Sequence, residues 1–212
     1  MNAQTERFTL QGPAGVLEVA RDLASAPDGV VRGTAVIAHP HPLFAGTMDN
    51  KVVQTLARAF VACGWTALRF NFRGVGQSEG AYDAGQGECE DFLAVVEQLA
   101  PQGPLALAGF SFGSFVMSHA LVKLWPERQI DKTVFVGTAA SRFTVATLPP
   151  EAHERTLVLH GEADDTVPLS AAMDWARPQI LPVTVVPGGG HFFHGQLPLL
   201  KGLVVRHLNT PL

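Results

Sequence analysis

The sequence predicts a single α/β domain over residues 1–212, in which helices flank a mostly parallel, twisted sheet. Short and nearly continuous apolar runs recur along the chain, as expected for parallel strands covered on both faces. Segments of helical length separate these runs. No repeat, block of charges or linker-like composition interrupts the alternation, so we expect no second domain.

The apolar runs and the segments between them predict individual elements. Strands are predicted at residues 33–40, 64–72, 104–110, 132–138, 155–161 and 182–188. Helices are predicted at Asp49–Ala62, Glu88–Leu99, Phe112–Leu124, Leu169–Ala176 and Phe193–Leu208. Before the first of these strands, Gly-Pro-Ala-Gly separates two alternating segments and predicts an antiparallel hairpin at the sheet edge. The connection 139–154 contains two adjacent prolines and predicts a loop or short helices, which leaves no room for a substantial lid.

Composition predicts a cytoplasmic protein that acts on a small molecule. The 212 residues are 47% hydrophobic and 16% charged, with a formal net charge of −4. No run of lysine or arginine indicates a nucleic acid or an anionic membrane as partner. No signal-peptide pattern and no apolar run of about 18 residues is present. Cys63 and Cys89 lie in no metal-binding pattern, and we expect neither a metal nor another cofactor.

A Gly-Phe-Ser-Phe-Gly pentapeptide, residues 109–113, lies between a predicted strand and a predicted helix. It matches G-x-S-x-G, the pattern of a nucleophile elbow. Glycines two residues before and after the serine permit a sharp, strained turn from strand to helix. The pentapeptide is short enough to occur by chance, but its position between strand and helix makes Ser111 a candidate nucleophile.

A serine nucleophile needs a general base, and the base needs a carboxylate to orient it. The segment VLHGEADDTVP ends one predicted strand with two candidate acids, Asp164 and Asp165. The segment VVPGGGHFFHG ends the next with two candidate bases, His191 and His194.

These three motifs, in the order serine, acid, histidine, resemble those of the α/β-hydrolases over nearly the whole chain. The acid turn of that family, H-G-x-x-D-x-x-V-P, has its aspartate four residues before the proline. This resemblance implies Asp164 as the acid, with Asp165 as the alternative. The family's base lies just after the last strand, which implies His191 rather than His194.

The resemblance also implies an oxyanion hole made of two backbone N–H groups. Phe112, the residue after the candidate nucleophile, supplies the first. The second comes from the loop after the strand at 33–40, where Pro40 and Pro42 have no N–H to donate. The remaining candidate donors are His41, Leu43 and Phe44. The family's H-G-x arrangement implies His41, while the replacement of its glycine by Pro40 keeps Leu43 as an alternative.

Further segments resemble a group of small, lidless bacterial hydrolases and carboxylesterases. These are HPHPLFAGTMDNKVV, LRFNFRGVGQSEG and GQGECEDF. The resemblance implies a serine hydrolase that cleaves carboxylic esters through an acyl-enzyme on Ser111. Because a lidless site encloses little apolar volume, we expect short acyl groups. In the wider family the segment that holds Arg73, Ser78 and Glu79 is more a loop-shaping element than a catalytic one.

Four other functions are compatible with these residues. A thioesterase or a peptidase uses the same constellation. A non-catalytic protein can bind a ligand on the same fold. A metallohydrolase would use four histidines near the strand ends, although no HExxH motif or acidic cluster supports it. Those histidines are His39, His41, His191 and His194.

Overall fold

Eight strands form one sheet in the computed structural model, which describes residues 5–211. The strands are β1 (Glu6–Gly12), β2 (Gly15–Asp22), β3 (Gly33–Ala38), β4 (Trp65–Phe70), β5 (Leu105–Phe110), β6 (Ile130–Val136), β7 (Thr156–Gly161) and β8 (Val183–Val186). The α-helices are α1 (Lys51–Ala62), α2 (Gln86–Leu99), α3 (Phe112–Leu124), α4 (Leu169–Ala176) and α5 (Leu197–Asn209). Short 3₁₀ helices occupy Pro42–Phe44, Pro150–Arg155 and Arg177–Gln179.

The order of the strands in the sheet is β1-β2-β4-β3-β5-β6-β7-β8. β1 pairs with β2, and β2 with β4, in antiparallel fashion, while the remaining neighbours are parallel. This confirms the predicted mostly parallel sheet with an antiparallel N-terminal hairpin. After β3 the chain forms β4 on one side of it and β5 on the other, and ligands bind in open α/β sheets at such a reversal of strand order.

The core lies on both faces of the sheet, which explains why the strands are almost uninterrupted apolar runs. Side chains alternate between the faces of a strand. Leu105 and Leu107 of β5 therefore pack with Phe92 of α2 and with α3 on one face. Ala108 and Phe110 of the same strand pack with α1 and α5 on the other face.

The last helix begins later than its sequence pattern predicts. α5 starts at Leu197, whereas the prediction started it at Phe193. Phe193 has a φ of 51°, which is left-handed and cannot continue a helix. Its side chain is fully buried in the core. Burial of this ring therefore takes the chain through a turn before the helix begins.

The segment that holds Arg73, Ser78 and Glu79 forms a loop between β4 and α2, as the resemblance implies. The Ser78 hydroxyl donates to the Asn71 carbonyl at 2.7 Å, and the Glu79 carboxylate accepts the Val16 N–H at 2.9 Å. The first bond lies within the loop. The second, with the N–H of Glu18 that donates to the Ser78 hydroxyl at 2.9 Å, holds the loop against the hairpin.

A buried ion pair connects this loop to α2. Arg73 donates through Nε and Nη2 to the two oxygens of Asp91, at 3.0 and 2.8 Å. The Asp91 side chain is 0% exposed, and it also accepts the backbone N–H of Arg73. The Arg73 guanidinium also lies 3.4 Å from Glu90, whose side chain is 59% exposed.

We expect Asp91→Ala to lower the free energy of unfolding by about 3–5 kcal/mol, because it leaves the Arg73 guanidinium buried without its partner. Glu90→Ala, which removes the exposed carboxylate from the same guanidinium, is the matched control and should cost at most about 1 kcal/mol. Urea unfolding monitored by circular dichroism measures both. Equal losses in the two variants would contradict the assigned role of Asp91.

Candidate active site

The side chains singled out in the sequence lie at the carboxyl ends of the parallel strands. Ser111 follows β5 directly, and His39 follows β3 directly. Asp164 and His191 lie on the loops after β7 and β8. Because parallel strands end at one edge of the sheet, residues far apart in the chain meet there.

Ser111 is held in a strained turn between β5 and α3. Its φ of 56° and ψ of −117° lie outside the regions that L-residues favour. A Cβ at Gly109 would lie 2.6 Å from the backbone of Gly113, and one at Gly113 would lie 2.5 Å from the carbonyl oxygen of Ala38. Both contacts are too close for a side chain, which explains why glycine flanks the serine on both sides.

Hydrogen bonds to β5 and β6 brace this turn. The backbone N–H of Ser111 donates to the carbonyl of Val136 at 2.8 Å. The Ser114 hydroxyl donates to the carbonyl of Gly109 at 2.7 Å and accepts the N–H of Val136 at 3.2 Å. Ser114 is 0% exposed, so its hydroxyl is a buried brace for the residue that carries the candidate nucleophile.

Ser111, His191 and Asp164 form a continuous chain of hydrogen bonds. The distance from Ser111 Oγ to His191 Nε2 is 3.0 Å, and that from His191 Nδ1 to Asp164 Oδ2 is 2.7 Å. All three side chains are largely buried. The carboxylate therefore fixes the proton on Nδ1 of the imidazole and leaves Nε2 free to accept the serine proton.

The Asp164 carboxylate is held in its charged form. Burial by itself raises the pKa of Asp164, but the hydrogen bonds from His191 and from the N–H groups of Val167 and Thr166 outweigh it, so that its pKa lies below the ordinary value. The two backbone bonds reach Oδ1 at 2.7 and 3.0 Å. His160 Nε2 lies 3.5 Å from Oδ2 and contacts the carbonyl of Val167 at 2.9 Å.

The alternative acid and the alternative base lie outside this chain. Asp165 is exposed, and its carboxylate accepts the hydroxyl of Thr166 at 3.3 Å. His194 is exposed and contacts the ring of Phe192. The sequence pattern placed His194 in the last helix. Because α5 begins only at Leu197, His194 lies instead on the loop before it.

The loop after β3 is anchored by the ring of His39, which is 0% exposed. Nδ1 lies 2.6 Å from the carbonyl of Pro40, and Nε2 accepts the N–H of Phe72 at 3.0 Å. Burial lowers the pKa of His39, and the bond to the Pro40 carbonyl raises it. The effect of burial is larger, so the pKa lies at about 4. A neutral imidazole thus joins the loop after β3 to the loop after β4.

Two of the three candidate donors on this loop are already engaged within it. The N–H of Leu43 donates to His41 Nδ1 at 3.2 Å, and the N–H of Phe44 donates to the His41 carbonyl at 3.1 Å. Within residues 5–211, the N–H groups of His41 and Phe112 make no hydrogen bond to the protein. The structure therefore favours His41 over Leu43 as a donor to a bound group.

A cavity of about 510 Å³ opens beside Ser111 and His191. Its walls are largely apolar and aromatic, from Phe44, Phe112, Phe143 and Phe192. The other lining residues are Pro40, His41, Ala45, Gly46, Asn50, Ala139, Arg142, Thr166 and Val167. Phe112 and His41, whose N–H groups have no partner among residues 5–211, thus border the same space as the serine.

None of the helices within residues 5–211 combines the length and the apolar character of a membrane span. Over the same residues, no three His, Cys, Asp or Glu side chains are grouped in a way that could hold a metal ion.

Comparison with known proteins identifies the family. Residues 42–155 match the family described as the alpha/beta hydrolase fold. A serine hydrolase without a lid from Xanthomonas campestris is 37% identical, with a TM-score of 0.86, over 100% of this chain and 99% of that one. An alpha-beta serine hydrolase homologue from Coxiella burnetii is 39% identical, with a TM-score of 0.80, over 96% of this chain and 97% of that one. The chain therefore belongs to the α/β-hydrolase family, and to its lidless serine hydrolases in particular.

A curated relative from Rickettsia prowazekii (strain Madrid E), an uncharacterized protein, is 39% identical over 116 residues. This match covers 53% of the present chain and 48% of that protein, so the chain spans about half the length of this relative.

Sequence reasoning missed two residues that support the site. His39 follows a strand as one of several histidines, and nothing in its pattern distinguishes an anchor from a metal ligand. Ser114 lies in a helical pattern where a hydroxyl can face solvent or core. Each residue also contacts a segment far from it in sequence, Phe72 for His39 and Val136 for Ser114, and a local pattern cannot show these contacts.

The buried neutral state of His39 predicts a pH dependence of stability. Its pKa is about 4 in the folded protein, against 6.5 as the ordinary value. Below pH 6.5 the unfolded chain therefore binds a proton at His39 that the folded protein excludes. The contribution of His39 to the free energy of unfolding is complete above pH 6.5 and is lost as the pH falls towards 4. We expect His39 to account for a loss of about 2 kcal/mol between pH 7 and pH 5.

Urea unfolding at the two pH values measures this loss, and His39→Gln should reduce it. Replacement of the exposed His194 by asparagine is the matched control and should leave the loss as in the wild type. An NMR titration of the His39 ring in the wild-type protein checks the same point without a variant. A ring that titrates near pH 6.5 would contradict the prediction.

Proposed function

We propose that this protein is a serine hydrolase that cleaves small carboxylic esters through an acyl-enzyme on Ser111. The observation that carries the proposal is the hydrogen-bonded chain from Asp164 through His191 to Ser111, which ends beside two free backbone N–H groups. A general base in contact with a serine, itself oriented by a buried carboxylate, is the arrangement that acyl transfer requires.

In the first half of the reaction, Ser111 Oγ attacks the ester carbonyl while its proton passes to His191 Nε2. The tetrahedral intermediate collapses as the imidazolium returns that proton to the departing alkoxide, which leaves as the alcohol. Asp164 stabilises the imidazolium and keeps its own charge, in accord with its lowered pKa. The products are the free alcohol and an acyl group bound to Ser111.

In the second half, water takes the place of the alcohol. His191 removes a proton from water as the hydroxide attacks the acyl carbonyl, and the same proton then returns to Ser111 Oγ as the carboxylic acid departs. In both halves, the N–H groups of Phe112 and His41 donate to the oxygen that becomes negative. Phe112 is also the first residue of α3, so the positive end of the helix dipole faces the same oxygen.

The shape of the cavity supports short acyl groups as substrates. Its volume of about 510 Å³ is bordered by aromatic side chains near Ser111, but two of these, Phe44 and Phe192, are 74% and 43% exposed and form its rim. No lid within the described residues covers this rim, so a long acyl chain would extend into water and gain little from apolar burial.

Ser111→Ala should abolish ester turnover, because it removes the nucleophile and leaves the fold intact. A fluorophosphonate probe followed by peptide mapping should label Ser111 in the wild type only. Hydrolysis of p-nitrophenyl acetate, butyrate and long-chain esters gives the turnover and its chain-length preference, with Ser170→Ala, at an exposed serine that does not line the cavity, as the control.

Unchanged turnover in Ser111→Ala would refute the mechanism. Ligand binding without any turnover in the wild type would instead identify a non-catalytic binding protein. Faster cleavage of the long-chain esters would refute the short-acyl assignment, and a thioester or amide panel tests the remaining acyl substrates.

His41→Pro tests the backbone donor on the loop after β3. The φ of His41 is −53°, which proline adopts, so the substitution removes the N–H with little strain. His41→Ala, which also loses the ring but keeps the N–H, is the matched control. We expect kcat in His41→Pro to fall about 100- to 1000-fold below that in His41→Ala. Equal kcat values in the two variants would show that another residue, such as Leu43, supplies the donor.

A further inference from the structure

One cationic side chain borders the cavity beside Ser111. Arg142 is exposed at the edge of this cavity, and among its lining residues within 5–211 it is the one with a permanent charge. In the same part of the chain, no aspartate or glutamate lines the cavity. A positive charge thus faces a space whose other walls are apolar or neutral, and this arrangement attracts an anion.

Arg142 differs from most other arginines of the protein in having no partner. Within residues 5–211, its guanidinium makes no hydrogen bond and no ion pair. Many of the other arginines contact a carboxylate within 4 Å: Arg7, Arg21, Arg32, Arg69, Arg73, Arg155 and Arg177. The five N–H donors of Arg142 are therefore available to a bound molecule.

The backbone that carries Arg142 is held firmly in place. The N–H groups of Arg142 and Phe143 donate to the carbonyl of Ala139 at 3.2 and 3.1 Å. The ring of Phe143 stacks on Phe115 at 4.7 Å with an interplanar angle of 15°. The segment is tied again a few residues later, where Ser118 Oγ accepts the N–H of Ala146 at 2.9 Å. The guanidinium therefore extends from a fixed point beside the catalytic residues.

The positive charge of Arg142 acts on His41, which lies on the loop after β3. The pKa of His41 is lowered, first by burial and then by the positive charge of Arg142. Both residues line the same cavity, so the guanidinium acts on the space in which the ester lies.

We propose that Arg142 is a specificity determinant that binds a carboxylate carried by the ester substrate. This inference rests on the proposed esterase function and names its substrate class: small esters with an apolar body, one carboxylate at the end remote from the scissile bond, and the reacting carbonyl at Ser111. The aromatic walls hold the body, and Arg142 binds the charged end. Guanidinium and carboxylate pair through two parallel hydrogen bonds, for which arginine is better suited than lysine.

The carboxylate can lie on the alcohol part or on the acyl part of the ester, and two pairs of substrates distinguish these cases. For the alcohol part, 4-carboxyphenyl butyrate is compared with 4-carbamoylphenyl butyrate. For the acyl part, 4-methylphenyl hydrogen adipate is compared with its primary amide. Within each pair the amide is nearly isosteric and uncharged, so the ratio of kcat/KM values reports the preference for the anion.

In the wild type we expect the carboxylate of at least one pair to be preferred after correction for spontaneous hydrolysis, and Arg142→Gln should lower that ratio about fivefold. The loss should lie mainly in KM, because the contact is remote from the reacting bond and is made equally in ground and transition states. Arg142→Lys should give an intermediate ratio. Raising the salt concentration should reduce the wild-type ratio and leave that of Arg142→Gln unchanged.

The exposed arginine of α1 supplies the control for net charge. Arg58→Gln removes one positive charge without a change to the cavity and should keep the wild-type ratio. In Arg58→Gln, turnover of the two neutral amide esters should stay within about twofold of the wild type. In the two Arg142 variants, a circular dichroism spectrum like that of the wild type shows that the fold is intact.

Failure of the inference is distinguishable from failure of the proposed function. If the neutral esters are hydrolysed in a Ser111-dependent manner but the ratios of both pairs are the same in wild type and Arg142→Gln, the esterase function stands and the role of Arg142 is refuted. If the wild type cleaves none of the four esters, the proposed function fails and the inference fails with it.

Discussion

The close approach of backbone to backbone at Gly113 is the constraint on which the site depends. The first turn of α3 lies directly against the carbonyl oxygens of Ala38 and His39, at distances that a Cβ would not tolerate. This contact brings the end of β5 next to the end of β3, so that the N–H of Phe112 and the N–H of His41 border one cavity. Side-chain packing alone would hold the two loops farther apart.

The loop after β3 is held on its other side by a buried polar connection. His39 accepts the N–H of Phe72, and the next residue, Arg73, is bound through both its backbone and its side chain to Asp91. A neutral imidazole and an ion pair, each deprived of water, therefore fix the loops after β3 and β4 together. Such groups are costly to bury unless they are paired, and their pairing restricts the loops to one arrangement. The donors beside Ser111 are thereby oriented before any ligand binds.

The strands and most helices could be predicted from the sequence, because a parallel strand buried on both faces leaves a continuous apolar run. α3 and α4 have the predicted ends, Phe112–Leu124 and Leu169–Ala176. The last helix was predicted four residues too early, since Phe193 fits a helical pattern but adopts a left-handed φ. The position of His194 was wrong for the same reason. In both cases burial of one aromatic ring overrode the local preference.

The order of serine, acid and histidine along the chain and the glycines around Ser111 can be read from the sequence, and their resemblance to a known family was enough to predict the class of the protein and its candidate site. The sequence pattern cannot show which donors are already engaged, because that depends on how each loop folds. The ring of His41 accepts the N–H of Leu43 within one loop. Arg142 lines the same cavity as Ser111, and no carboxylate among residues 5–211 pairs with it. The conformation of the loop after β3 determines the first fact. The second depends on distances between loops from different strands, which are set only when the sheet brings its strand ends to one edge.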